Sequence, residues 1–202
     1  MQREQGQPIL RDQAGLLWTW WKGDPLPSLP SFPDFIFKEA TDIKALATLM
    51  EISDTRVMNL LSQGHHPYLA YAAELPVAVG CSASGQAQFG EGRVTFQVPS
   101  MNRYLHYFVT LSSLRGQGIY PRLLQYILRQ ESNEIERFWI LHQLSNTASE
   151  QGIRKAGFHI ASKVYFLDTG ELALVPPVGE IERAYAGAIL LNLPLIQNTE
   201  EG

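Results

Sequence analysis

The sequence predicts a single mixed α/β domain with extra length at both ends. Its 202 residues are enough for one domain with a sizeable core. A hydrophobic content of 45% with 18% charged residues is typical of a globular protein rather than a disordered one. The predicted elements run strand, two helices, several strands, helix, strand, helix, strands. This order indicates a mixed sheet rather than a regular βαβ series.

The first 33 residues differ from the rest of the chain. Trp18, Trp20 and Trp21 are followed by four prolines between residues 25 and 33. Because prolines this dense do not lie in helices or central strands, residues 1–33 are predicted to form an extended arm. Exposed tryptophans would lower solubility, so we expect the arm to pack on the domain or on the partner in a homodimer. A ligand-binding aromatic cluster is the alternative.

Residues 35 to 111 are predicted to hold two short helices among several strands. Asp42 can cap the first helix, and Ser53 or Asp54 can begin the second, which ends near Gly64. Strands are predicted at 35–38, 68–73, 77–83, 94–98 and 104–111, with a loop at 85–92. The strands at 68–73 and 77–83 are close enough in sequence to form a hairpin.

The second half of the chain is predicted to alternate helices and strands. A helix after residue 118 carries an apolar stripe that includes Ile119, Leu123 and Ile127. A strand is predicted at 138–144, a helix at 147–156 ending at Gly157, strands at 161–167 and 171–175, and a last helix at 181–191.

Composition excludes several classes of function. A net charge of −4 argues against a nucleic-acid binder, which needs clustered Lys and Arg, and favours a cationic or neutral substrate. Cys81 is the one cysteine, so no intrachain disulfide forms and the cytoplasm is the expected compartment. Residues 1–10 lack the pattern of a signal peptide, and no run of about 18 apolar residues predicts a membrane span.

The strand–loop–helix at residues 104–130 carries the clearest chemical signal. Gly116 and Gly118 let a ligand approach the backbone closely, just before a helix whose first N–H groups are free. Such N–H groups and the helix dipole suit an anion, above all a pyrophosphate. A tight strand-to-helix turn without a ligand remains open. The loop is neither a P-loop nor the three-glycine dinucleotide fingerprint.

Two segments of the sequence resemble a known family. Residues 115–120 (RGQGIY) are similar to the acetyl-CoA signature Gln/Arg-x-x-Gly-x-Gly/Ala of the GNAT (Gcn5-related N-acetyltransferase) family. Residues 146–158 (NTASEQGIRKAGF) resemble its Asn…Tyr-x-x-x-Gly-Phe motif at the same spacing. The resemblance spans about residues 35–175. It implies a GNAT-like domain at 34–176 with a central, mostly antiparallel sheet of about six to seven strands flanked by helices. The arm at 1–33 and a C-terminal helix and tail at 177–202 lie outside it.

By this resemblance, the protein transfers an acetyl group from acetyl-CoA to a small-molecule or peptide amine by direct attack. Backbone groups of the strand at 108–110 would meet the pantetheine arm and the acetyl carbonyl, and the loop would wrap the pyrophosphate. The residues implied in binding acetyl-CoA are Phe108, Val109, Thr110, Arg115, Gly116, Gln117, Gly118, Ile119, Tyr120, Pro121 and Asn146. No metal is implied.

Three positions depart from the family pattern. Tyr120 stands where the signature has Gly or Ala, and we expect its side chain to point to the core or solvent. Pro121 removes one N–H that phosphate could use. Ile153 replaces the tyrosine that protonates the departing thiolate. The candidate replacements are Tyr120, Tyr165, His142 and Ser145. A non-catalytic CoA-binding or regulatory module is therefore the alternative function.

His106 is the candidate base, because it titrates near neutral pH and alternation places it on one strand face with Tyr104, Phe108 and Thr110. A hydrogen-bonded structural histidine is the alternative. Tyr165 is the candidate acid. The pair at residues 65–66 lacks a third ligand at suitable spacing for a metal and is interpreted as a solvent-facing helix end.

Overall fold

The computed structural model describes residues 8–30, 35–90 and 92–197. Parts of the predicted arm, of the predicted loop at 85–92 and of the C-terminal tail therefore lie outside the described residues. The strands in these ranges are β1 (Leu10–Trp21), β2 (Phe35–Glu39), β3 (His65–Ala72), β4 (Leu75–Ala83), β5 (Gln86–Phe89), β6 (Val94–Gln97), β7 (Asn102–Thr110), β8 (Arg137–Gln143), β9 (His159–Leu167) and β10 (Leu172–Val175). The α-helices are α1 (Ile43–Met50), α2 (Asp54–Ser62), α3 (Ile119–Glu131), α4 (Thr147–Ala156) and α5 (Ile181–Leu191).

Eight of the described strands form one mixed sheet in the order β10-β9-β1-β8-β7-β4-β3-β2. Neighbouring strands are antiparallel except β7 and β8, which are parallel. The class is the mixed, mostly antiparallel α/β fold that was predicted, with one strand more than expected. The strands β5 and β6 form a separate hairpin, so the predicted loop at 85–92 is wrong in part.

The extra strand is β1, which corrects the prediction of an extended arm. It lies between β8 and β9 and pairs antiparallel with both. Trp18 and Trp20 face one side of the sheet, while Leu17 faces the other, and all three are buried. Apolar residues on both faces are typical of a central strand. The prolines begin only at residue 25, past the end of the strand, so they do not interrupt its ladder.

The helices cover the sheet on both sides. One face packs against α3 and α4, and the other packs against α1, α2 and α5. The predicted caps are present: Asp42 accepts from two backbone N–H groups at the start of α1, and Ser53 accepts from one at the start of α2. At the end of the chain, Arg183 of α5 donates two hydrogen bonds to Asp24, at 2.8 and 2.9 Å, which ties α5 to the segment after β1.

A bulge in β7 overturns the predicted alternation of its side chains. Between the pairs Val79–Val109 and Cys81–His106, β7 has one residue more than β4, and Tyr107 takes a left-handed φ of 55°. As a result Phe108 packs into the α3–α4 side, whereas Tyr107 and Val109 pack toward α1 and α2. His106 and Phe108, expected on one face, therefore lie on opposite faces.

The parallel pairing of β7 with β8 is short. It runs from Asn102–Arg137 to Leu105–Ile140 and then stops, although both strands continue. Past this point β7 stays paired with β4 on its other edge. The sheet therefore opens between β7 and β8 from His106 onward. No helix in the described ranges is long and apolar enough to cross a membrane.

Burial of β1 predicts a large stability loss for Leu17→Ala. Leu17 is fully buried and packs against Gly187 of α5, so truncation leaves a cavity and should lower the free energy of unfolding by about 2–5 kcal/mol. The control is Leu75→Ala, the same change at a side chain that is 71% exposed, with an expected loss of about 0.5 kcal/mol. Urea unfolding measures both. Equal losses would contradict a central β1.

Candidate active site

A cavity of about 530 Å³ lies where the end of β7 meets the starts of α3 and α4. All the predicted acetyl-CoA-binding residues except Gln117 line it. The rest of its lining comes from Leu114 and from the α4 residues Ala148, Ser149, Gln151, Gly152 and Lys155. The structure thus gathers two segments that are about 30 residues apart in sequence around one space.

The backbone at the mouth of this cavity is suited to an anion. Gly118 is the N-cap of α3 and no side chain caps it, so the first-turn N–H groups of Ile119 and Tyr120 lack a helical partner. Gly116 has a left-handed φ of 78°, and a Cβ built on it would meet nothing within 4 Å. The backbone is therefore open to a ligand at this point. Pro121, the third helical residue, offers no N–H.

The charges around this cavity are of one sign. Arg115 and Lys155 line it, and none of the described lining residues is acidic. Arg115 also donates from Nε to the carbonyl of Thr110 at 3.1 Å, which ties the loop to the end of β7. A positively charged cavity in a chain of net charge −4 favours a negatively charged ligand.

Tyr120 lies against α4 and lines the cavity instead of pointing to solvent. Its hydroxyl is 3.2 Å from Ser149 Oγ, and its ring centroid is 5.0 Å from that of Phe108. Gly152 faces the ring so closely that a Cβ there would lie 2.3 Å from Tyr120 Cδ1. Burial raises the pKa of the Tyr120 hydroxyl, so this group is a proton donor in its resting state.

The other candidate acids lie elsewhere. Ile153 is fully buried in the core beneath the cavity. His142 is buried beside Trp18, with Nδ1 2.8 Å from the carbonyl of Gln143. Tyr165 lies on β9, opposite residues of β1 and β10, and neither it nor Ser145 lines the cavity. Of the four candidates, Tyr120 alone is at this site.

At α4, the sequence predicted only the N-cap residue Asn146 as part of this cavity, and not the helix residues that also line it. Asn146 caps α4 by accepting from Ser149 N at 3.0 Å. Ser149, Gly152 and Lys155 follow at intervals of three residues, which places them along one side of the helix. This spacing was visible in the sequence and could have extended the predicted site.

A second cavity, of about 310 Å³, lies on the opposite face of the sheet, and His106 and Tyr107 form part of its wall. His65 Nδ1 is 2.7 Å from His106 Nε2, and His65 Nε2 is 3.1 Å from the carbonyl oxygen of Gln86. Because a carbonyl only accepts, His65 Nε2 carries a proton, and Nδ1 then accepts from His106 Nε2–H. His106 Nδ1 is left as an acceptor.

Both imidazoles in this cavity are held neutral. Burial, with a smaller effect of His65, lowers the pKa of His106 to about 3, and burial also lowers the pKa of His65. The interpretation of residues 65–66 as a solvent-facing helix end is wrong for His65, which begins β3 and is 5% exposed. His66 is half-exposed beside Glu39, as expected, but it lies in β3 and not at a helix end. Burial raises the pKa of the Cys81 thiol to about 12, as fits a structural cysteine.

The Tyr120–Gly152 contact predicts that Gly152→Ala changes the free energy of unfolding in opposite directions in two backgrounds. Gly152→Ala in the wild type forces the ring to move and should lower the free energy of unfolding by about 1–3 kcal/mol. In a Tyr120→Ala background the clash is gone, and the same change should raise it by about 0.5–1 kcal/mol through helix propensity. Urea unfolding of the four proteins measures this. A loss of equal size in both backgrounds would rule the contact out.

No protein-family model and no curated protein sequence matches the chain. Solved structures do match. A GCN5-related N-acetyltransferase from Kribbella flavida is 14% identical, with a TM-score of 0.55 over 87% of this chain and 62% of its own. An acetyltransferase of the GNAT family from Colwellia psychrerythraea is 16% identical, with a TM-score of 0.54 over 74% of this chain and 53% of its own. The chain thus spans less than two thirds of either protein.

A third similar structure is AAC(6')-Iy in complex with the bisubstrate analog CoA-S-monomethyl-acetylneamine. It is 13% identical, with a TM-score of 0.50 over 62% of this chain and 90% of its own. At such identities the likeness concerns the fold. The chain has the GNAT fold.

Proposed function

We propose that the chain is an acyl-CoA-dependent N-acetyltransferase that moves an acetyl group from acetyl-CoA to an amine by direct attack. One observation carries the proposal: the first cavity joins an uncapped helix N-terminus, an open glycine loop and two cations to a free strand edge. The pyrophosphate of acetyl-CoA matches the helix N-terminus and the glycine loop, and its negative charge matches the two cations. Its extended, amide-containing arm matches the strand edge. The GNAT fold shared with a protein crystallised with a CoA-containing analog supports it.

The parts of acetyl-CoA are assigned to the elements that suit them. The loop at residues 115–120 would bind the pyrophosphate, with Arg115 and Lys155 as cationic contacts. The edge of β7 from Phe108 to Thr110, which β8 leaves unpaired, would offer backbone groups to the pantetheine amides. Asn146, at the N-cap of α4, would lie beside that arm.

The reaction needs little from the protein besides alignment and two proton transfers. A C–N bond forms between the amine and the acetyl carbonyl, the C–S bond breaks, and the sulfur leaves as a thiolate. We assign Tyr120 as the group that protonates it, since its hydroxyl lies in the cavity and at Ser149, one turn before Ile153 on α4. A thiol has a pKa of about 8.5, so modest help is sufficient.

A non-catalytic CoA-binding or regulatory module is the second candidate, because the apolar, fully buried Ile153 stands at the position of the family's acid. Both functions use the same cavity, and release of free thiol in the presence of amines distinguishes them. A cytoplasmic location and a homodimer stay predictions from the sequence.

Binding of acetyl-CoA is the first prediction from this function. Calorimetry should detect it, and Arg115→Gln and Lys155→Gln should each weaken it about two- to fivefold, because exposed charge pairs contribute up to about 1 kcal/mol. The effect should grow at low salt. Lys163→Gln removes an exposed lysine of β9 that is outside the cavity and should leave the Kd unchanged. Absence of binding at millimolar acetyl-CoA would overturn the proposed function.

The Tyr120 assignment predicts a loss of turnover without a loss of binding. Tyr120→Phe keeps the ring against Gly152 and Phe108 but removes the acid, so kcat should fall about ten- to a hundredfold, with the Kd of acetyl-CoA unchanged. Tyr165→Phe, the matched change on β9, should leave kcat unchanged. Thiol release measures both. The opposite ranking would return the role to Tyr165, and no turnover with any amine would favour the regulatory module.

A further inference from the structure

We propose that the second cavity is the acceptor site, that it takes a small amine which also carries a carboxylate, and that His106 accepts the proton of that amine. His65 acts through His106 as a positioning residue. This inference rests on the proposed function, since it supplies the substrate class and the base of the same reaction.

The two cavities meet on one strand. Phe108, Val109 and Thr110 line the first, and His106 and Tyr107 line the second. The bulge at Tyr107 turns Phe108 to the α3–α4 face and leaves Tyr107 on the other face, within about 7 Å of strand. Beside them β8 has already separated from β7. In this proposal, an amine in the second cavity attacks a thioester held along Val109 from the other side of β7.

The hydrogen bonds of the histidine pair prepare His106 as a base. The Gln86 carbonyl fixes the proton on His65 Nε2, and His65 Nδ1 fixes the proton on His106 Nε2. His106 Nδ1 has no hydrogen-bond partner among the described residues, and it is the ring nitrogen nearer to the β7 backbone. When the amine attacks, its N–H proton passes to this nitrogen, and His65 accepts a hydrogen bond from the imidazolium that forms.

The charged and titratable groups around the pair favour a neutral resting state. Burial is the main cause that lowers the pKa of both rings; Arg56 of α2 and His66 of β3 lower that of His65 further, and His65 lowers that of His106 further. The other rings against His106 are Tyr104 and Tyr107, with centroids 6.0 and 5.0 Å away. No carboxylate of the described residues faces the imidazoles to hold a proton on them. His106 is thus unprotonated at neutral pH.

The lining of the second cavity selects the substrate class. Arg56 is exposed at its rim, forms no ion pair with a described residue, and is the single formal charge among the described lining residues. Gln63, Gln86, Gln88 and Thr95 supply neutral polar groups. A guanidinium without an ion pair among the described residues fits a carboxylate, whereas a polyamine would find no anionic partner among the described lining residues. The volume is at the lower end for small-molecule pockets, so the amine is small.

Matched amines test the substrate class. Lysine and cadaverine, ornithine and putrescine, and tyrosine and tyramine differ only by the carboxylate. Thiol release with acetyl-CoA should give a kcat/KM about tenfold or more higher for the acid of each pair, as expected for one charge-assisted contact. Arg56→Gln should abolish this preference. Lys44→Gln, which removes an exposed lysine of the neighbouring α1 outside both cavities, should preserve it. Preference for the decarboxylated amines would overturn the inference.

His106→Asn tests the base. At neutral pH kcat/KM should fall about a hundredfold, and the defect should shrink as pH rises toward the pKa of the amine, because less proton removal is then needed. A merely structural role would give a loss that does not depend on pH. Since the pKa of His106 is held at about 3, wild-type kcat/KM per unprotonated amine should stay flat from about pH 8 to about pH 5. His159→Asn, on β9 and outside both cavities, is the matched control.

His65 is tested by conservative rescue. His65→Gln keeps an oxygen that can accept from His106 and should retain more kcat than His65→Leu, with the same pH dependence as the wild type. If the variants unfold, imidazole chemical shifts of wild-type His106 during titration with lysine in the presence of CoA give a second readout. Absence of a shift would overturn the site.

These outcomes separate the two proposals. Loss of acetyl-CoA binding overturns the proposed function. Intact acetyl-CoA binding with unchanged kinetics in Arg56→Gln and His106→Asn overturns the acceptor site alone.

Discussion

Both cavities depend on β7 leaving β8 after the pair Leu105–Ile140. The strand continues past that point with one edge still paired to β4, so its other edge holds backbone groups without a strand partner. The bulge at Tyr107 occurs at the same place, and a left-handed φ on an aromatic residue is strained by roughly 1–3 kcal/mol. Strain of this kind persists where the surrounding structure imposes it. Here the bulge turns neighbouring side chains to opposite faces, so that β7 lines both cavities.

The Tyr120–Gly152 contact relates Tyr120 to Ile153, two positions at which the resemblance to the family predicts other residues. A bulky residue at position 120 requires space on α4, and a glycine at 152 supplies it. Under the proposed function, the Tyr120 hydroxyl on α3, 3.2 Å from Ser149 Oγ, supplies the acid that Ile153 on α4 cannot. Position 153 becomes free to join the apolar core, where an isoleucine is more stable than a buried hydroxyl without a partner.

Features that depend on residues within one segment were predicted best from the sequence. The helices at 147–156 and 181–191 have the expected bounds, and the first cavity follows from a glycine loop and a cap within single segments. Features decided by distant contacts were missed. Nothing near β1 specifies that β8 and β9, more than 110 residues away, will enclose it. Alternation along β7 assumed a regular strand, and the bulge broke it. The histidine pair joins residues 41 positions apart.

The net charge of −4 suggested a cationic or neutral substrate, yet the described linings of both cavities hold cations and no carboxylate. Two acidic residues bind partners inside the fold instead of facing a cavity. Glu131 accepts from Tyr68, Ser82 and Arg103, and Asp24 binds Arg183. Buried carboxylates with such partners contribute little to the field in a cavity elsewhere. Charge summed over the chain therefore reports on solubility, whereas the local cations favour two reactants that each carry an anionic group, brought together at one strand.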